Sequence, residues 1–136
     1  MIGVNINDSE VPYTGLILAG LKTLETRRTN SLKSHAGERV ALVRTGVGQA
    51  AVVGLVTLGA PWVCRTRAMW RRYRYCHRVP LGSRHDWDGR PRYMYAVIGA
   101  WPCEPVPVAS RGIVTRVIPD DVIRGLVRRR KRGKKA

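Results

Sequence analysis

The chain has 136 residues, enough for one domain whose hydrophobic core needs neither disulfide nor metal. A formal net charge of +16 and a pI near 11.2 make a polyanion the expected partner. No apolar run approaches the roughly 20 residues of a membrane span.

The opening residues, Met1-Ile2-Gly3-Val4-Asn5, carry no basic region and no long hydrophobic region, so no secretory leader is expected. Three cysteines, Cys64, Cys76 and Cys103, cannot all pair within one chain. That favours a reducing compartment, and a cytoplasmic protein is the expectation.

Alternation over Ile2–Ile6 predicts a short first strand. Pro12, Thr14 and the apolar run Gly15–Ala19 predict a helix from about Pro12, stopping at Gly20, a residue able to take the left-handed conformation of a helix end. Thr23, Leu24 and Thr26 then suit a strand over about Thr23–Arg28. Alternation sets Glu25 and Arg27 on one face of it, with Lys22 at the turn beside them. Asn30–Gly37 reads as a polar loop. Two β-rich runs follow, Arg39–Arg44 and Ala50–Leu58, separated by the turn Gly46-Val47-Gly48. Two late strands, about Tyr93–Ala100 and Pro105–Ala109, and a helix over Pro119–Val127 complete the pattern. Pro119, Asp120 and Asp121 suit that helix's start, and arginines collect at its end. Short strands, turn signals and few helices describe a small, mainly β barrel of the α+β class.

Charge is concentrated. Residues 61–92 carry nine Arg against two Asp, and residues 124–136 carry eight basic residues and no acid, so these two segments hold +15 of the +16. Arg outnumbers Lys twenty to five, as codon bias in a GC-rich genome would produce, but such bias does not explain the scarcity of acids there. Across residues 60–93, Trp62, Trp70, Tyr73, Tyr75, Trp87 and Tyr93 are interleaved with arginines. Guanidinium groups fork onto phosphates, and aromatic faces stack on unpaired bases, each worth ~1–3 kcal/mol. The expected nucleic-acid-binding residues are Lys22, Arg27, Arg28, Arg65, Arg67, Trp70, Arg71, Arg72, Tyr73, Arg74, Arg128, Arg129, Arg130 and Lys131. Part of the aromatic set is expected to be core: Trp62 and Trp87 packing the segment down, with Met69, Tyr73 and Cys76, at helical spacing, as the buried group. The run beyond Arg128 repels itself and is expected to order only on an anion.

The pattern G-x-K-x-x-E-x-R at Gly20–Arg27 resembles the signature of the ASCH domains, relatives of the PUA RNA-binding fold. Arg39–Val43 resembles that family's second barrel strand and Ala51–Val56 its third; Tyr95–Ile98, Pro105–Val108 and Arg111-Gly112 resemble the closing strands. The segment Ala60–Tyr93 has no counterpart in the pattern. The resemblance implies a PUA-like small β-barrel with one or two flanking helices and an Arg/aromatic-rich insertion at about 60–93, a barrel domain over 1–123, and a helix end with basic tail over 124–136. It also implies nucleic-acid binding, RNA ahead of DNA, around the signature.

Some ASCH relatives hydrolyse the amide of N4-acetylcytidine with a lysine, a threonine and a glutamate, and another is a ribonuclease. Lys22 matches the lysine, Glu25 stands where the hydrolases have threonine, and Glu104 is the candidate for the distant glutamate. Lys22 and Glu25 are therefore the catalytic candidates of a second reading, a metal-independent hydrolase of RNA or modified nucleosides, ranked behind the binding protein. A third reading is a basic protein-interaction module. Arg27 and Arg28 disfavour a charged Lys22, which Glu25 opposes. Cys64, Cys76, His77 and His85 lack zinc-site spacing, so no metal and no cofactor is expected, and His35, His77 and His85 are expected to be exposed.

Overall fold

The computed structural model describes residues 1–109, 115–119, 121, 122 and 124. In chain order the elements are β1 (Ile2–Asn7), α1 (Tyr13–Leu18), β2 (Leu24–Arg27), a 3-10 turn at Lys33–His35, β3 (Arg39–Thr45), β4 (Ala51–Leu58), β5 (Trp62–Cys64), α2 (Arg67–Arg72), α3 (Arg74–His77), β6 (Arg92–Pro107) and β7 (Thr115–Val117). The strands form one mixed sheet in the order β2-β6-β4-β3-β1-β7, with β5 also paired to β6. Among the described residues only β1 and β3 run parallel; the other pairs are antiparallel. The result is a curled half-barrel with a few short helices, the small α+β barrel the sequence predicts.

Apolar alternation explains where the core lies. On β3, Val40 and Leu42 face the main cluster, with Val4 and Ile6 of β1, Tyr13 and Ile17 of α1, and Val53 and Val56 of β4. Ala41 and Val43 face the opposite way, into a second cluster with Ala50, Val52, Val108 and Ile118. Burial on both faces makes β3 a continuous apolar run rather than an alternating one. The pairing of β3 with β4 shifts register at Leu42/Val43, and that of β4 with β6 between Val52 and Gly54 and again at Thr57/Leu58. Each shift bends the ladder, and together they curl the sheet.

Two expectations are corrected. The separate late strands are one strand of 16 residues, β6, which pairs with β2 and β5 over its first residues and with β4 from Val97 to Pro107. Pro102 and Pro107 are tolerated because β6 there has a strand on one side only, so their missing N–H groups interrupt no second ladder among the described residues. The buried set within residues 60–93 is also different. Met69 is exposed and Tyr73 and Cys76 are half-buried, while Trp70, Cys64 and Val79 are fully inside. Trp62 and Trp87 do pack against the main core. Of the closing helix, Asp121, Val122 and Arg124 are helical; its other residues after Pro119 lie outside the described residues. No helix among the described residues is long and apolar enough to cross a membrane.

Helix α1 meets the sheet at Gly54, where an added Cβ would stand 2.6 Å from the Trp101 carbonyl oxygen and 2.7 Å from Leu18 Cδ2. Backbone cannot yield there as a flexible side-chain tip can. Gly54→Ala is therefore expected to cost about 1–3 kcal/mol of unfolding free energy, read as a lower urea midpoint. A midpoint equal to the parent's would show that the β4–β6 contact is looser than this geometry.

Candidate functional site

The chain leaves α1 through Gly20, at φ +76°, and both Leu21 and Lys22 donate their backbone N–H to the Leu16 carbonyl, at 2.9 and 3.0 Å. Thr23 then donates to the Cys76 carbonyl at 2.9 Å, which fastens the start of β2 to α3. Between these bonds the Lys22 side chain turns inward and is 1% exposed. Its Nζ donates to the His77 carbonyl at 2.5 Å, lies 3.9 Å from Glu25 Oε1 and sits 5.0 Å from the centre of the Tyr13 ring. Burial pushes the Lys22 pKa down and Arg27 adds to this, while the Glu25 carboxylate opposes it; the net direction is down.

Glu25 uses one oxygen locally. Oε1 accepts the Thr26 N–H at 2.8 Å, and Oε2, buried and without a hydrogen bond, lies 3.7 Å from the Arg27 guanidinium. Arg27 donates to the Asn5 carbonyl at 2.9 Å, which ties β2 across to β1. Lys22, Glu25 and Arg27 thus form the cluster that strand alternation predicts, and it lines a cleft of about 440 Å³. Arg28 and Thr26 line it as well.

The opposite wall was not legible beforehand. Asn5, Asn7 and Tyr13 reach it from β1 and α1, and Arg84, His85 and Arg92 from the segment without a counterpart in the family pattern. Arg92, 3% exposed, is held by the His85 and Asp86 carbonyls, both at 3.0 Å, and by Asp88 at 3.1 Å. Asp88 also pairs with Arg28, and this hydrogen bond holds its carboxyl well below the usual range. The Arg84 N–H donates to the Glu10 carboxylate at 3.0 Å, which anchors the loop beside α1. Burial lowers the His85 pKa, and the neighbouring Arg84 lowers it further. Burial likewise pushes the Tyr13 hydroxyl up to about 12, with Glu10 and Glu25 adding to it, so it is a phenol throughout the physiological range. Five cationic side chains, Lys22, Arg27, Arg28, Arg84 and Arg92, therefore line this space against the single carboxylate of Glu25, while Asp88, outside the lining, pairs with Arg28 and Arg92.

The remaining predicted residues separate. Arg65, Arg67, Arg71 and Arg72 are exposed at and around α2, outside the cleft lining. Arg74 is turned inward, onto the Val79 carbonyl and Asp86. Tyr73 packs on Trp62 with ring centres 5.0 Å apart. Trp70 requires correction: it is 0% exposed, stacked at 4.0 Å on His77, with its indole N–H on Asp86 at 2.9 Å. An indole closed in on both counts has no face for a base. Arg128, Arg129, Arg130 and Lys131 lie outside the described residues.

His77 is the second correction, being fully buried rather than exposed. Its Nδ1 accepts the Val79 N–H at 3.0 Å, so Nε2 carries the proton and donates to the Trp70 carbonyl at 3.0 Å. Burial drives its pKa down to about 4. Between about pH 6.5 and that value the unfolded chain binds the proton and the folded chain does not, so stability falls as pH falls through this window. If the whole shift is expressed, the loss approaches about 3 kcal/mol. The parent should lose more unfolding free energy than His77→Gln between neutral pH and about pH 4, by denaturant titration. Parallel losses would mean that the ring is not held neutral.

Known proteins match this chain by shape rather than by sequence. No family model and no curated protein sequence matches it. Among solved structures, a serine-to-alanine variant of the ASCH protein of Zymomonas mobilis superposes with a TM-score of 0.71 at 16% identity, over 93% of both chains. Another structure of that ASCH protein gives 0.68 at 15% identity, covering 93% of this chain and 92% of that one. A tyrosine-to-phenylalanine variant gives 0.67 at 15%, over 93% and 95%. The chain therefore has the fold of the ASCH structures over nearly its whole length.

Proposed function

We propose that this protein binds nucleic acid, RNA in preference to DNA, with a nucleotide of the strand held in the cleft around Lys22, Glu25 and Arg27. The observation that carries this is the lining: five cationic side chains and one carboxylate, Glu25, around about 440 Å³, a volume within the roughly 300–1,000 Å³ of small-ligand sites. Arg27, Arg28 and Arg84 would meet phosphate oxygens. Exposed arginines at Arg65, Arg67, Arg71 and Arg72, with the basic residues Arg128–Lys131, would follow the backbone outside the cleft and add a salt-dependent, sequence-independent term. The preference for RNA rests on the likeness to the ASCH fold and on the 2′-hydroxyl as a further donor. A cytoplasmic location fits the three free thiols.

Binding to labelled single-stranded RNA, duplex RNA and duplex DNA across a salt series tests this. The proteins compared are the full chain, a version ending at Val127, and Arg84→Ser, an exposed cleft residue whose side chain the fold does not need. The cleft reading expects discrimination among the three nucleic acids that survives tail removal. It also expects Arg84→Ser to weaken single-strand binding and lower the salt slope by about 1. Binding that disappears with the tail and never discriminates would remove the cleft from the account.

One observation favours a second reading, hydrolysis of RNA or a modified nucleoside: a lysine in the cleft wall whose pKa is lowered by burial. The Lys22–His77 carbonyl bond speaks for a structural role instead. A Lys22→Ala protein that stays folded, keeps RNA affinity and loses a turnover measurable in the parent would establish the hydrolase. No turnover by the parent on RNA or acylated cytidine would end it.

A further inference from the structure

With Trp70 closed and Tyr73 packed, one aromatic of the Arg-rich segment is left open to solvent. Tyr75, on α3, is 79% exposed. A lone exposed aromatic means little, but this one is built upon. Helix α3 ends at Arg78 in the left-handed region, φ 60°, the one non-glycine residue with positive φ among those described. From that turn the Arg78 side chain comes back over the helix. Its Nε donates to the Leu21 carbonyl at 3.0 Å, and its guanidinium lies 4.2 Å from the centre of the Tyr75 ring. A cation is thereby pinned on the ring, and the ring remains open elsewhere.

The surroundings supply the sign of the ligand. Within residues 61–92 the acids are Asp86 and Asp88, and both are engaged, with Arg74 and Trp70 and with Arg28 and Arg92 respectively. Arg71 and Arg72, four and three residues before Tyr75, are exposed and have no acidic partner among the described residues. The pair is also joined to the cleft. Leu21, which takes the Arg78 bond, precedes Lys22, and the carbonyls of Cys76 and His77 receive Thr23 and Lys22.

We infer that Tyr75 and Arg78 form a stacking platform for an unpaired base of a single-stranded nucleic acid, next to the nucleotide in the cleft. This rests on the nucleic-acid reading above. An aromatic face backed by a fixed guanidinium stacks on any base, so the platform adds affinity for single strands and little sequence preference. A duplex, with its bases already stacked, gains nothing from it.

The test is fluorescence anisotropy with a labelled single-stranded oligoribonucleotide, the same strand with abasic positions, and an RNA duplex. Tyr75→Ala should weaken the normal strand by roughly ten- to hundredfold, the range of one stacked base, and leave the abasic strand and the duplex unchanged. Tyr75→Trp should hold or tighten the normal strand. The double change Arg71→Ser with Arg72→Ser should weaken all three ligands alike, as loss of phosphate contacts does. If Tyr75→Ala binds the normal strand as the parent does, or weakens the abasic strand equally, the platform is wrong while nucleic-acid binding stands. If the parent binds none of the three, both readings fall together.

Discussion

The structure depends on an amine held away from water. Lys22 has its Nζ on the His77 carbonyl and near Glu25 in a place where either charge alone would be costly. That position is reached only if α1 ends at Gly20 and β2 begins at once against α3. The Leu21–Thr23 and Cys76–Arg78 segments are consequently laced together by three bonds, from Thr23, Lys22 and Arg78. A helix end, a sheet edge and a region far off in sequence meet in one junction, and the cleft opens beside it.

Polar groups inside this junction are paired in a definite order. His77 is neutral and bridges two backbone groups, so it supports α3 without adding charge. Trp70 stacks on it and donates its indole N–H to Asp86, which also accepts from Arg74 and the Gly82 N–H. Burial would push the Asp86 carboxyl up, but these hydrogen bonds hold it well below the ordinary range. A few carboxylates thus neutralise the arginines that face inward, while Arg65, Arg67, Arg71 and Arg72 keep their charge toward solvent. That division turns a strongly basic composition into a packed interior wall and a cationic surface.

How legible this was depended on the range of the interaction. Gly20, the Lys22–Glu25–Arg27 cluster and β1 to β4 follow from local rules: a left-handed helix end, alternation, and turn glycines at 46 and 48. The single long β6 was not legible, because Pro102, Pro105 and Pro107 are strand breakers unless one edge is free, and edges are a property of the sheet. Trp70 and Tyr75 lie five residues apart in the same Arg-rich run, and composition treats them alike. Only the packing of α2 and α3 makes one core and the other surface.

Periodicity, charge and short-range geometry are all written within a few residues of one another, so the α+β small-barrel class, the cationic character and the local cluster at the start of β2 are already present in the amino-acid order. Tertiary structure alone decided that Arg84, His85 and Arg92 close the cleft, that His77 is buried and neutral, and that the open aromatic is Tyr75. The closing of the cleft rests on contacts between segments more than fifty residues apart, such as Lys22 with the His77 carbonyl and the Arg84 N–H with Glu10. Burial, which sets both proton affinity and access to a ligand, does not exist until such contacts form.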